Sequence, residues 1–184
     1  MKDKKTFVIM IAGALIVSGI FAGIKTIAQE PDKAEIQQEF RKRLTGCEGI
    51  AVYVNVIAQD ASEQQSMKEK VEGDVEQVLK DGGIKVLSEA DIQYKQGRPR
   101  LRVHLVTFKE PQQRDVYIYS FRIFHLEDAI LDRTDRYTEG LCWDSGIYVG
   151  RERLSAIRST LKSHVLRYVN DYLAVNPKKT ETRP

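Results

Sequence analysis

The sequence predicts an α+β fold, a two-layer sandwich with two main helices on one face of a mixed, mainly antiparallel sheet of about five strands. Three observations carry that expectation. Two segments, beginning near residues 66 and 151, repeat apolar residues every three or four positions, the mark of a helix with one buried face. Five other segments are short and rich in β-branched or aromatic residues, most of them alternating with period two. Their order is strand, helix, strand, strand, strand, strand, helix. The first three elements read as a crossover unit with parallel strands, and the last three strands, joined by short turns, as an antiparallel meander.

The chain has 184 residues, one domain's worth. It opens with MKDKK and continues with 18 uncharged residues, "FVIMIAGALIVSGIFAGI", at 7–24. Thr26, Ile27 and Ala28 follow, with small side chains at the two positions a signal peptidase inspects, which predicts cleavage after Ala28. The apolar run exceeds the ~7–15 residues of an ordinary signal core and approaches the ~20 that span a bilayer. Residues 1–28 therefore read as a signal peptide or as a retained membrane anchor. The lysine-rich start puts the N-terminus in the cytoplasm either way. The rest of the chain is expected outside it, periplasmic or otherwise exported, tied to the inner membrane only through residues 7–24 if these are kept. No cysteine closely follows the apolar run, which argues against a lipoprotein.

The same segment explains the basic balance. Lys2, Lys4, Lys5 and Lys25 against Asp3 give it +3, the formal charge of the whole chain, so the part after Ala28 is neutral. Nucleic-acid binding needs a basic face, and Arg98, Arg100 and Arg102 form only a local patch, so no nucleic-acid partner is expected. Two cysteines, Cys47 and Cys142, in an exported chain read as one disulfide or as two small buried hydrophobes. Pairing would close a loop of about 95 residues, worth roughly 4–5 kcal/mol in the chain-entropy model.

Residues 29–47 read as a charged spacer, in which Ala34, Ile36, Phe40 and Leu44 only faintly outline a short helix; a single domain is expected over 48–177. "IAVYVNVIA" at 50–58 is the first strand, with Val52, Val54 and Val56 on one face and Tyr53, Asn55 and Ile57 on the other. Ser66 to Glu69 fits a capping box, and Met67, Val71, Val75, Val78 and Leu79 make the stripe of a helix that Gly82 and Gly83 stop. "IKVL" at 84–87 is a short strand. "LRVHLVTF" at 101–108 alternates, setting Leu101, Val103 and Leu105 against Arg102, His104, Val106 and Phe108. "VYIYSFRIFHL" at 116–126 is apolar on both faces, and "EDAILDRTDR" continues or bends it. "GLCWDSGIYVG" at 140–150 is the last strand, its glycines assigned to a turn before it, a bulge within it and a turn after it. Leu154, Ile157, Leu161, Val165, Tyr168 and Tyr172 stripe a final helix over 151–173, which Asn176 and Pro177 end. Residues 178–184 read as a polar tail expected to be disordered.

Catalytic and metal-binding patterns find little support. The residues around Cys142 match no nucleophile motif, and Gly140, Gly146 and Gly150 match neither the dinucleotide nor the P-loop spacing. His104, His125 and His164 are isolated, with no His-x-His, HExxH or paired-cysteine spacing; no metal site and no cofactor are expected. His164 reads as a core or boundary residue, and His104 and His125 as sheet-surface residues. Asp91, Asp132, Asp135 and Asp144 all sit in turn-like contexts. The remaining question is the apolar second face of the sheet. Either residues 30–45 pack on it, or it is a contact surface, with Tyr53, His104, Phe108, Tyr117 and Tyr119 as candidate partner-binding residues.

The stretches "VEGDVEQVLKDGGIKVLSEAD", "GRPRLRVHLV" and "CWDSGIYVG", with the closing "DYLAVNP", resemble a group of exported bacterial proteins with no assigned activity. The element order is similar to that of the TolB N-terminal domain. That resemblance implies a non-catalytic periplasmic accessory or binding module of the cell envelope, engaging a protein partner. The alternatives are a small-ligand or lipid carrier using apolar space between sheet and helices, and a hydrolase built on Asp144 with His104 or His125.

Overall fold

The computed structural model describes residues 33–113 and 115–177. The signal or anchor expected at 1–28 and the tail at 178–184 lie outside the described residues. The chain divides between Ile36 and Gln37 into two compact units, and the second holds the sheet. The elements are α1 (Lys33–Arg43), β1 (Ala51–Ile57), α2 (Ala61–Asp81), α3 (Glu89–Ile92), β2 (Arg100–Lys109), β3 (Val116–Leu131), β4 (Arg136–Arg153) and α4 (Leu154–Val175).

The sheet has four strands in the order β1-β2-β3-β4, parallel between β1 and β2 and antiparallel elsewhere. The mixed α+β character is as expected; the count of about five is not. Residues 84–87 contribute one parallel bridge, Val86 to Ile50, closed by Ile50 N to Lys85 O and Leu87 N to Ile50 O, both at 2.9 Å. They go no further because Ser88 and Asp91 cap each other across the first turn of α3 and turn the chain away. The crossover from β1 through α2 therefore re-enters the sheet at β2.

Helix α2 starts five residues before the expected Ser66. Asp60 is its N-cap, accepting from the amides of Ser62 at 2.7 Å and Glu63 at 3.2 Å. Met67, Val71, Val75 and Leu79 are buried, as their spacing requires. In α4 the buried stripe is Ile157, Leu161, Val165, Tyr168 and Tyr172, joined by Val169 and Asp171. Both stripes pack with Leu101, Val103, Leu105, Phe121, Ile123 and Trp143 of the sheet in one core.

Two expectations are corrected. The spacer assigned to 29–47 is in part structural: Leu44 is fully buried, and Phe40 and Cys47 pack against the main core. Arg41 Nε meets Asp171 Oδ1 at 2.6 Å, and Asn176 holds the segment through Leu44 O at 2.7 Å and Gly46 N at 2.8 Å. These contacts belong to the helix-covered core, so residues 40–47 pack on the helix side of the sheet. The hairpin of β3 and β4 is also longer than expected. Residues 127–131 continue β3 in pairing with 136–140, so Gly140 sits within a strand opposite Glu127. Gly150 likewise sits within β4 opposite Tyr119, whose ring occupies the space a Cβ would need. Only Gly146, at φ +80°, is the expected bulge, where Ser145 Oγ takes over the ladder by accepting from Ile123 N at 3.0 Å.

Candidate functional site

The helices cover one face of the sheet and leave most of the other open. Among the described residues, one corner of that second face is closed, where Leu87 and Ile92 of the α3 region pack on Ala51 with Tyr53 at the edge. Over the rest, register sets side chains in rows: Ile57, Val106, Ser120 and Val149 in one, Phe108 and Ile118 in the next. A third row runs Asn55, His104, Arg122 and Ile147. Ile57, Phe108 and Ile118 are each about half exposed, and Ile147 and Val149 are 71% and 75% exposed. The result is a continuous apolar strip crossing all four strands.

The strip is bordered by charge. Arg122 forks onto Asp144, with Nε 3.0 Å from Oδ1, and its guanidinium lies 5.2 Å from the centre of the Phe124 ring. His104 stands edge-on to the same ring at 4.9 Å. Burial first, then the neighbouring Arg102 and Arg122 charges, hold the His104 pKa below its ordinary value, so the imidazole is neutral at physiological pH. Arg102 pairs with Glu139 at 2.7 Å. Arg100 reaches both Asp128 and Glu139.

Of the candidate partner-binding residues, Tyr53, His104 and Phe108 lie on this open side. Tyr117 and Tyr119 do not: both are buried under the helices. The Tyr117 hydroxyl donates to Glu63, and burial followed by that carboxylate pushes its pKa up to about 12. The alternation of β3 puts them there, since Tyr117, Tyr119, Phe121 and Ile123 share the core face.

His125, expected at the sheet surface, is fully buried. Its spacing continues the core row of Tyr117, Tyr119, Phe121 and Ile123, and the irregularity at His125/Leu126, with Cys142 as the extra residue, comes only after it. His125 joins a polar cluster at the end of the core. Its Nδ1 lies 2.7 Å from the Tyr168 hydroxyl and its Nε2 3.2 Å from Glu127 Oε1. Cys47 Sγ donates to the same Glu127 oxygen at 3.3 Å. Sequence spacing gave no hint of this group, because Cys47 lies in the loop after α1 and the other two near the end of β3. Tyr172 donates its hydroxyl to Cys47 O. Next to the cluster, Trp143 Nε1 donates to the buried Asp171 at 2.9 Å, the carboxylate that also takes Arg41.

In the structure Cys47 and Cys142 are both free thiols. Burial, then the Glu127 carboxylate, pushes the Cys47 pKa up, and the same causes raise Cys142 to about 11. As protonated thiols they are poor nucleophiles. The hydrolase arrangement with His125 is not assembled, since Asp144 is engaged by Arg122 on the open face and His125 is buried on the opposite one; His104 shares the open face with Asp144, whose carboxylate is taken by Arg122. His164 lies between the rings of Tyr148, at 3.8 Å, and Phe121, at 5.4 Å.

No family model and no curated protein matches the chain. Among solved structures it is similar to a point-variant PelC dodecamer from Paraburkholderia phytofirmans, with 16% identity and a TM-score of 0.41 over 66% of this chain and 87% of that one. A second PelC dodecamer from the same organism aligns at 10% identity and a TM-score of 0.38 over 68% and 86%. A neuraminyllactose-binding hemagglutinin homologue from Helicobacter pylori aligns at 8% and 0.29 over 74% and 86%. At these identities and TM-scores nothing about activity carries over. Among the described residues, no helix is long and apolar enough to cross a membrane.

Proposed function

We propose that this protein is a non-catalytic accessory module of the bacterial cell envelope that engages a protein partner through the open face of its sheet. The observation that carries the reading is the apolar strip of Ile57, Phe108, Ile118, Ile147 and Val149. Exposed apolar surface that runs on across several strands and is edged by charge is what a protein interface buries. The lysine-rich start and the uncharged run at 7–24 support export to the periplasm.

Photo-crosslinking residues placed at Phe108 and Ile147 in the producing cell test this. Both positions should yield the same stoichiometric adduct, and a control at Leu166, on the helix side, should not. Ile147→Asp combined with Val149→Asp should abolish the adduct and leave the melting temperature unchanged. Absence of an adduct from every sheet position, or equal labelling from Leu166, would sink the reading.

A further inference from the structure

We propose that Cys47, His125 and Glu127 form a site for one divalent transition-metal ion of the zinc type. Cys47 Sγ and His125 Nε2 stand 3.3 and 3.2 Å from Glu127 Oε1, and the three donor atoms lie within 4.8 Å of one another. A tetrahedral zinc ion with ordinary bond lengths sets S···O and N···O separations of about 3.6 and 3.4 Å. Two edges of the donor triangle thus lie within a few tenths of an ångström of those of such a tetrahedron. A thiolate, an imidazole and a carboxylate suit zinc; magnesium and calcium favour oxygen alone.

His125 provides an independent observation. It is fully buried, and its Nε2 faces Glu127 without a hydrogen-bond partner. Leaving such an atom unsatisfied in an interior is unfavourable, and an ion at Nε2 removes the deficit. The other ring nitrogen is already committed. If Nδ1–H donates to the Tyr168 hydroxyl, the tautomer is fixed and the Nε2 lone pair is free, the outer-partner arrangement that metal-bound imidazoles use. Tyr168 is itself wholly buried and held edge-on to Trp143 at 5.1 Å, so the imidazole is kept in place from behind. Cys47 and Glu127 are only half-buried, which gives the ion a way in. Binding releases the Cys47 thiol proton to solvent and leaves a fourth coordination position for water. A disulfide from Cys47 to Cys142 would consume the thiolate, so pairing and metal binding exclude each other.

Cobalt(II) is the probe, added to the reduced full chain. Absorption from sulfur-to-cobalt charge transfer should saturate at one equivalent and disappear when zinc is added. Cys47→Ser should remove the charge-transfer absorption, and Glu127→Gln should weaken cobalt binding by roughly tenfold or more. Cys142→Ser should retain the absorption. Circular dichroism establishes that each variant is folded, and the wild-type titration stands whether or not they are. A folded, reduced wild type without the absorption at excess cobalt overturns the site. So does absorption that survives Cys47→Ser, or protein recovered from cells with Cys47 and Cys142 joined.

Discussion

Gly82 shows how one missing atom sets a helix–helix contact. Its backbone is right-handed helical, φ −68° and ψ −12°, so an alanine there is conformationally acceptable. The obstacle is α4: a Cβ at Gly82 would stand 2.5 Å from Val169 Cγ1. Valine is stiff at χ1 and Val169 is almost fully buried, so relief requires the helices to part. Gly82→Ala should therefore destabilise the domain by about 1–3 kcal/mol, read as a lowered urea midpoint at unchanged slope. Gly82→Ala with Val169→Ala should lose less than the sum of the two single changes, because the second removes the atom the first strikes. Strict additivity would show that the clash is relieved elsewhere.

Between elements, the charged contact to examine is Asp74 on α2 with Arg158 and Lys162 on α4. Arg158 Nε and Nη2 reach the two carboxylate oxygens at 2.6 and 2.9 Å, and Lys162 Nζ stands at 2.8 Å. Burial alone would raise the Asp74 pKa; the hydrogen bonds and charges of its two partners outweigh it and hold the value below the ordinary 3.8. A depressed carboxylate contributes stability that is present above its unfolded pKa and lost as pH falls through the folded one. Asp74→Asn should thus cost about 2 kcal/mol at neutral pH. The gap to wild type should close as pH drops below 4, measured by denaturant unfolding across pH; a gap independent of pH would refute the assignment. Asp74 was invisible in sequence because it lies one residue before Val75 of the apolar stripe and its partners are 84 or more residues away. His125 differs, because its burial follows from local alternation: it shares the parity of Tyr117, Tyr119, Phe121 and Ile123. Alternation along 116–126 is legible, and Gly146 betrays the first bulge, but nothing local marks the second irregularity, between His125 and Leu126. The helical stripes needed no such information: a period of three and four fixes a buried face without knowledge of the partner.

At the scale of the molecule, the domain begins earlier than the hydrophobic pattern shows. The pattern from 33 to 47 is too sparse to declare a packed helix, since much of what holds it is polar and supplied from far along the chain. Asp171 of α4, almost fully buried, accepts from Trp143 of β4 and from Arg41, and Asn176 bonds Leu44 and Gly46. A chain starting at Glu48 would empty the fully buried Leu44 site, at a cost on the order of 2–5 kcal/mol. It would also leave the Asp171 carboxylate buried with the Trp143 indole but without its cation, worth about 3 kcal/mol more. These losses are comparable with the whole stability of an ordinary domain of about 5–15 kcal/mol. A chain starting at Gln37 keeps Phe40, Arg41 and Leu44 together. The expected outcome is cooperative thermal unfolding for the chain from Gln37. The chain from Glu48 should have a melting temperature lower by well over ten degrees, or no cooperative transition at all. Since Cys47 goes with the deleted segment, the shorter chain should also lose the sulfur-to-cobalt absorption. Equal melting temperatures for the two would mean that Leu44 and the Arg41–Asp171 pair contribute little, and that the domain does begin where the first strand does.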